Sequence, residues 1–461
     1  MSAVDPKIFK AYDIRGIYPS EINEELAYGI AQAYAKFLNP KTVALGFDVR
    51  TSSPALFEAA KQGLVDHGVN VVDIGMISTD MLYFAVANYG YDGGIIISAS
   101  HNPKEYNGMK LTREQAIPIS GDTGIGDIKN SVIMGYEYKA DQPGTVSSKN
   151  IADDYIKKCL SFVDVAKISA KGGSASGGKP LKVVANAMFG LALTQVAHMN
   201  LPVKLIELNE NPDGNFPKGQ PDPLQVQNQQ ETKEVIQKEH PDLGVAWDAD
   251  ADRCFFFDEN GRFLPPYYVS AVLSEYFCKR EPGATIVHDI RLRWAIEDKV
   301  KASGGKTMAI KAGRAYFNPE MRKDNAVFAS ETSGHYYFRD YFSSDNGLIP
   351  FLIMLEIVSQ AGVRVSELFD EYFENYPVSG EINTKASDLE QVKPLLEKIE
   401  QHFAADPKVK LDKTDGISIE GQDWRANIRG SNTEPLIRTN VEAKNPKVLL
   451  SATEEVLRFI G

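Results

Sequence analysis

Six short apolar runs in this chain each stop abruptly at a polar cluster, and that repeated edge constrains the fold more than any other feature. Val43-Ala44-Leu45-Gly46-Phe47 ends at Asp48-Val49-Arg50, and Ile95-Ile96-Ile97 at Ser98-Ala99-Ser100-His101-Asn102-Pro103. Leu181 to Ala185 ends at Asn186, and Leu243 to Trp247 at Asp248. Thr285 to His288 ends at Asp289, and Ala326 to Ala329 at Ser330-Glu331. Continuous apolar strands alternating with helices predict parallel or mixed sheets in an α/β protein. The first run leads into such a helix at Pro54, with Leu56, Ala60 and Leu64 on one face. In these sheets ligands bind beyond the carboxyl ends of the strands, where the polar clusters fall.

At 461 residues the chain is too long for one core. The reading is three α/β domains, 1–150, 151–258 and 259–375, followed by an α+β domain, 376–461. The Gly/Ser-rich insert from Lys171 to Lys179 reads as a surface loop without chemistry.

Bulk properties remove several function classes. Hydrophobic residues at 43% and charged residues at 24% are the balance of a soluble globular protein. No run approaches the roughly 20 apolar residues of a membrane helix, and Met1 to Tyr12 has no apolar signal region. Three scattered cysteines without metal-ligand spacing suggest a reducing cytoplasm. The histidines form no HxxxH pair that would suggest zinc. A net charge of −12 argues against nucleic acid as a partner. It leaves open a small anionic substrate, which a local cluster of basic side chains can capture. No obligate protein partner is evident.

Four constellations carry chemistry. Asp248-Ala249-Asp250-Ala251-Asp252-Arg253 puts three carboxylates at alternate positions of a tight loop, able to converge on one hard cation. An EF-hand would need glycine at the sixth position, where Arg253 stands, and a helix rather than a strand before the loop. Ser100, at a strand end beside His101, is a nucleophile, a helix cap or a turn residue on this evidence. It lacks the Gly-x-Ser-x-Gly elbow of α/β hydrolases. Arg429-Gly430-Ser431-Asn432-Thr433-Glu434-Pro435, with Arg438 beyond, offers donors and guanidinium charge suited to phosphate, or else a capped turn. Glu331 and Ser333, in Ser330-Glu331-Thr332-Ser333-Gly334-His335, could hold adjacent sugar hydroxyls or belong to a bland loop.

In this order the motifs resemble one family, the α-D-phosphohexomutases, and within it the bacterial phosphomannomutase (phosphomannomutase/phosphoglucomutase) branch. The resemblance spans the chain. It begins at Phe9-Lys10-Ala11-Tyr12-Asp13-Ile14-Arg15-Gly16 and takes in Asn107-Gly108-Met109-Lys110 and Asn211-Pro212-Asp213-Gly214-Asn215-Phe216-Pro217. It implies three related α/β domains and a C-terminal domain of different fold around a central cleft. By this resemblance Ser100 carries the phosphoryl group, with His101 as its orienting neighbour. Asp248, Asp250 and Asp252 bind Mg²⁺, together with a phosphoserine oxygen on Ser100. Glu331, Ser333 and His335 meet the sugar, while Arg429, Ser431, Asn432, Thr433 and Arg438 grip the resting phosphate. Tyr12, Arg15, Lys110, Arg253, Arg291 and Arg314 fall where the family has substrate or acid–base contacts. The implied reaction interconverts mannose 6-phosphate and mannose 1-phosphate, with glucose phosphates as further candidates. It passes through a hexose 1,6-bisphosphate, which also serves as activator.

The sequence departs from the family pattern in places. Lys311-Ala312-Gly313-Arg314 replaces a Gly-His turn, and Asn318 stands where a lysine is usual. Ala249 and Ala251 occupy positions where glycine is common, and Arg291 one where lysine is common. A phosphoglucosamine mutase, a catalytically weak sugar-phosphate-binding relative and a Mg²⁺-dependent phosphatase are the competing readings. Intact Ser100 and three intact aspartates favour an active mutase.

Overall fold

The apolar runs become buried strands because hydrogen bonding to neighbours on both sides satisfies their backbone while aliphatic side chains fill both faces. The computed structural model describes residues 4–168, 179–430 and 435–460. The Gly/Ser-rich insert, apart from Lys179, lies outside them. The chain sorts into two units, Met1–Phe263 with Ser333–Arg364 and Leu264–Thr332 with Val365–Gly461.

The first unit opens with strands β1 (Ile14–Ile17), β2 (Thr42–Phe47), β3 (Asn70–Met76), β4 (Gly93–Ile97), β5 (Tyr106–Arg113) and β6 (Val146–Ser148). They form one mixed sheet in the order β1-β5-β4-β2-β3-β6. Strand β2 runs parallel to β3 and β4, and β5 runs antiparallel to β4 and β1. Helices α1 (Glu24–Leu38), α2 (Ser53–Asp66) and α3 (Thr79–Tyr89) connect them. The Asn23 side chain caps α1 by accepting from Leu26 N. Every residue of β4 is buried. A Cβ at Gly93 would lie 2.0 Å from the Tyr34 hydroxyl, so close packing of α1 requires glycine there. The Ser100 loop therefore leaves a fully buried strand packed directly against α1.

A second sheet in this unit holds β7 (Lys182–Asn186), β8 (Lys204–Leu208), β9 (Leu243–Trp247) and β10 (Cys254–Phe257). Strand β7 lies parallel to β8 and β9, and β10 folds back antiparallel on β9. The Asp-rich loop is the turn between β9 and β10. The chain leaves the unit through the short β11 (Phe263–Leu264).

In the second unit, β12 (Thr285–Asp289) runs parallel to both β13 (Lys306–Ile310) and β14 (Phe328–Ser330). The chain then returns to the first unit with the antiparallel pair β15 (Tyr336–Phe338) and β16 (Ser344–Asp345). There Trp247 Nε1 donates to Gly347 O at 2.8 Å, and Asn346 Nδ2 to Asp80 Oδ2 at 2.6 Å. Leu348–Ala361 is a helix apolar on nearly all sides, and it is buried, as such a helix must be. Among the described residues no single helix is long and apolar enough to cross a membrane.

The second unit ends in an antiparallel sheet, ordered β17-β21-β20-β19-β18. Its strands are β17 (Val378–Lys385), β18 (Lys410–Asp412), β19 (Ile417–Glu420), β20 (Trp424–Gly430) and β21 (Leu436–Ala443). This is the α+β character expected of the C-terminal region. Arg425 ties it to the end of β12: fully buried, it donates to Ile290 O, to Arg291 O at 2.8 Å and to Ser418 Oγ at 3.0 Å, and it pairs with buried Glu442. Truncating one member of a buried ion pair strands the other charge. Arg425→Ala is expected to destabilise the second unit by about 3–5 kcal/mol, read by urea unfolding.

Candidate active site

Ser100 is the first residue past the β4 edge to turn sharply. Its φ of +50° lies in the left-handed region, which costs a non-glycine residue roughly 1 kcal/mol or more. Arg50, only 1% exposed, supplies the compensation. One of its terminal nitrogens donates to Ser100 O at 2.6 Å and Asn102 O at 2.7 Å. The other donates to Pro103 O at 2.7 Å and Tyr106 O at 2.9 Å. Asp48, at 3.3 Å, neutralises the guanidinium and accepts from Ser53 Oγ at 2.6 Å. A single side chain thus gathers four carbonyls of the serine loop.

The Ser100 hydroxyl points toward the Asp-rich turn. Its Oγ donates to Asp248 Oδ2 at 3.2 Å and lies 3.1 Å from His101 Nδ1. Burial, with Arg253 and Arg15 nearby, pushes His101 well below its usual range. Arg15 donates to Asp13 at 2.7 Å and to Asn102 Oδ1 at 2.5 Å, bracing the far side of the loop. Tyr12 is exposed.

Asp248, Asp250 and Asp252 each direct one oxygen to within 4.8 Å of the others, and all three are buried. Lys110, from β5, places its ammonium 2.6 Å from Asp250 Oδ2 and 2.7 Å from Asp252 Oδ2. Burial works against that charge, but the two carboxylates hold Lys110 well above the usual lysine range. Thr79 Oγ1 adds a 2.5 Å hydrogen bond to Asp250 from the start of α3. Burial and its two sister carboxylates push Asp248 well above the carboxylate range. Asp252 is opposed by burial, yet Lys110, His335 and Arg253 hold it well below. Asp250 Oδ1 and Asp252 Oδ1 are buried without a hydrogen-bond partner among the described residues. Converging carboxylates with spare inward oxygens fit a divalent cation bound by oxygen ligands. The alanines of the loop differ in consequence: Ala251 sits at φ +56°, where glycine would be unstrained, whereas Ala249 shows no positive φ.

Arg253 closes this cluster. It lies 3.6 Å from Asp248 Oδ2 and 3.2 Å from His335 Nε2. His335 in turn is 3.6 Å from Asp252 and 3.0 Å from Ser333 Oγ. His335, Asp252 and Asp345 form another grouping of potential ligands, which no local spacing announces.

The remaining expected residues belong to the second unit, for the division falls between Thr332 and Ser333 and so separates Glu331 from Ser333. Arg291 pairs with Asp289 at 2.7 Å and approaches Glu331 at 4.0 Å. Glu331 accepts from Gly313 N at 2.8 Å, just before Arg314 begins the helix Arg314–Asp324. Arg429 and Arg438 face each other across the β20–β21 ladder. Ser431, Asn432 and Thr433 lie outside the described residues. Asn318 is fully buried and accepts from Arg322 at 3.1 Å, so its replacement of a lysine is accommodated inside the helix packing. Sequence reasoning missed Arg50, Thr79 and Glu381. Arg50 carried a signal, as a basic residue two positions after an acidic one at a strand end; the other two carried none.

A strand-end serine against a buried carboxylate triad, and a pair of facing arginines on β20 and β21, are the equipment of a phosphoryl-transfer enzyme built on α/β domains. Comparison with known proteins names the group. Residues 6–137, 153–261 and 265–376 match phosphoglucomutase/phosphomannomutase alpha/beta/alpha domains I, II and III, and residues 381–459 match its C-terminal domain. The chain is 42% identical over 458 residues to a phosphomannomutase of Escherichia coli K12, covering 97% of each. It is 41% identical over 455 residues to the phosphohexose mutases of Xanthomonas campestris pv. campestris, covering 98% of each. A crystal structure of a phosphoglucomutase/phosphomannomutase family protein from Burkholderia thailandensis superposes with a TM-score of 0.86 at 28% identity, over 99% of this chain and 97% of that one. The chain belongs to the phosphoglucomutase/phosphomannomutase family.

Because Arg50 meets the serine loop through backbone carbonyls alone, its loss acts on the position of Ser100. Arg50→Lys is expected to lower kcat about 100-fold while KM moves little, as steady-state kinetics would report.

Proposed function

We propose that this chain is a phosphohexomutase that interconverts mannose 6-phosphate and mannose 1-phosphate, and glucose phosphates as well, through phosphorylated Ser100. The observation that carries the reading is the Ser100 hydroxyl at 3.2 Å from Asp248, in a loop held out of ordinary backbone geometry beside three converging carboxylates. Near-identical naming of relatives along the whole chain supports the same activity. The division into domains near residues 150, 258 and 375 goes with it.

The chemistry is an exchange. The phosphoryl group leaves the Ser100 oxygen and bonds to the free 1- or 6-oxygen of a hexose monophosphate, while the hydroxyl proton lost by the sugar is made good on the serine. The bisphosphate so formed presents its other end, and the second phosphoryl group returns to Ser100. Lys110 and Arg253 line the reacting group; His101 orients the serine. Arg291, Arg314, Arg429, Ser431, Asn432, Thr433 and Arg438 take the phosphate that is not reacting, and Tyr12, Arg15, Glu331, Ser333 and His335 take the sugar. Asp248, Asp250 and Asp252, with a phosphoserine oxygen, would hold Mg²⁺, whose charge would offset that of the transferring group. A hexose 1,6-bisphosphate primes the serine.

The test follows ³¹P resonances of the protein with Mg²⁺, a trace of glucose 1,6-bisphosphate and either mannose 1-phosphate or glucose 1-phosphate. Conversion to the 6-phosphate, absent with Ser100→Ala, is expected, and the ratio of rates gives the sugar preference. Inorganic phosphate as main product would make the chain a phosphatase; binding without turnover would make it a sugar-phosphate-binding relative. In the same assay, chelation of divalent metal is expected to stop turnover and added Mg²⁺ to restore it. Asp248→Asn should remove that response while Ser100 stays in place.

A further inference from the structure

A carboxylate already sits among the arginines of the second unit. Glu381, on the edge strand β17, accepts from Arg429 Nη2 at 3.1 Å through one oxygen, and Arg291 Nη1 lies 3.8 Å from that same oxygen. Arg438 Nη1 lies 3.8 Å from the other oxygen. Three guanidinium groups from three segments, β20, β21 and the turn after β12, thus surround one acid. Each of them keeps a buried Nε–H with no hydrogen-bond partner among the described residues. Burial disfavours the Glu381 charge, yet Arg291, Arg429 and Arg438 hold its carboxyl below the usual range.

The register explains how the cluster arises. Arg429 and Arg438 are directly opposite in the ladder, an unfavourable placement for like charges. Asn383 pairs with Arg438, so Glu381 reaches the two arginines diagonally from one strand further out. Arg291 needs no help from Glu381, being fixed by Asp289 at 2.7 Å. Asp289, and Glu331 at 4.0 Å, face Arg291 alone, which leaves Glu381 as the only described carboxylate shared by Arg429 and Arg438 and leaves the three Nε–H donors unused. A phosphate dianion, with more oxygens than a carboxylate, satisfies such a set better than Glu381 does.

We infer that Glu381 is a tethered competitor: it occupies the arginine cluster when no phosphate is there, yields to the substrate's non-reacting phosphate, and thereby weakens the grip on it. The inference rests on the reading above that this cluster receives that phosphate. A mutase has a reason to keep such a group. Its bisphosphate must release one phosphate from the arginines and return with the other, and binding shared by every bound state lowers KM without raising kcat. A carboxylate waiting at the site speeds the release.

The alternative is that Glu381 only offsets repulsion between Arg429 and Arg438. The two roles move affinity in opposite directions. Binding of inorganic phosphate to the full chain is measured by titration calorimetry for the parent, Glu381→Gln and Glu381→Ala. If Glu381 competes, both variants bind phosphate about tenfold more tightly, and KM for hexose phosphate falls while kcat does not rise. Unchanged or weaker phosphate binding would overturn the inference. So would loss of folding in both variants, which would make Glu381 a structural counter-ion. The calorimetry needs no turnover, so a chain inactive on hexose phosphates would defeat the mutase reading and leave the phosphate result standing.

Discussion

Three aspartate carboxylates crowded within 4.8 Å of one another in a buried pocket repel strongly, since screening by water is weak there. Everything around the β9–β10 turn answers that repulsion. Lys110 comes from β5, Thr79 from the start of α3, Arg253 from the turn itself and His335 from the segment that re-enters the unit. Lys110 and Thr79 meet at Asp250 Oδ2, Lys110 also reaches Asp252 Oδ2, Arg253 lies by Asp248 Oδ2 and His335 by Asp252 Oδ1. Compensating one charge cluster thus fastens together four stretches of chain that are far apart in sequence. The price is a pocket that stays electrically unfinished, with buried oxygens on Asp250 and Asp252 lacking a hydrogen-bond partner among the described residues.

The second unit holds the inverse arrangement. There the like charges are positive, with Arg291, Arg429 and Arg438 gathered around Glu381 and Asp289 holding Arg291 from its other side. In both places an internal counter-charge keeps the cluster together without satisfying it completely. A lysine answers the acids and a glutamate answers the arginines. Sites made this way are formed before any ligand arrives, because opposite charges hold the like charges in place.

Much of this was legible in the sequence because it is local. An apolar run that stops at a polar cluster announces both a buried strand and the end at which a ligand binds, so Ser100 and Asp248 to Asp252 stood out at once. The α+β character of the C-terminal region followed from its change of pattern, though not the antiparallel order of its sheet. What could not be read is what depends on distant partners. Nothing near Arg50 says that its guanidinium collects carbonyls more than fifty residues away. Nothing near Glu381 distinguishes it from other acids on an edge strand. Asn318 looked like a departure at a functional position, yet its side chain serves Arg322 inside a helix. The boundary between Thr332 and Ser333 is likewise invisible, because it cuts through a continuous motif.

That boundary has a consequence for how the protein is made. The first unit is interrupted by residues 264–332 and is completed only by residues 333–364. As the chain emerges from the ribosome, Asp248, Asp250 and Asp252 are synthesised well before His335, Asn346 and the carbonyl of Gly347 that receives Trp247. Until the later segment appears, the acidic turn lacks His335 and β9 lacks its cap. The acidic turn and β9 therefore gain these partners only late in translation. Over that interval the buried carboxylates and the apolar face of β9 lack part of their cover, the kind of surface that invites misassembly in large chains.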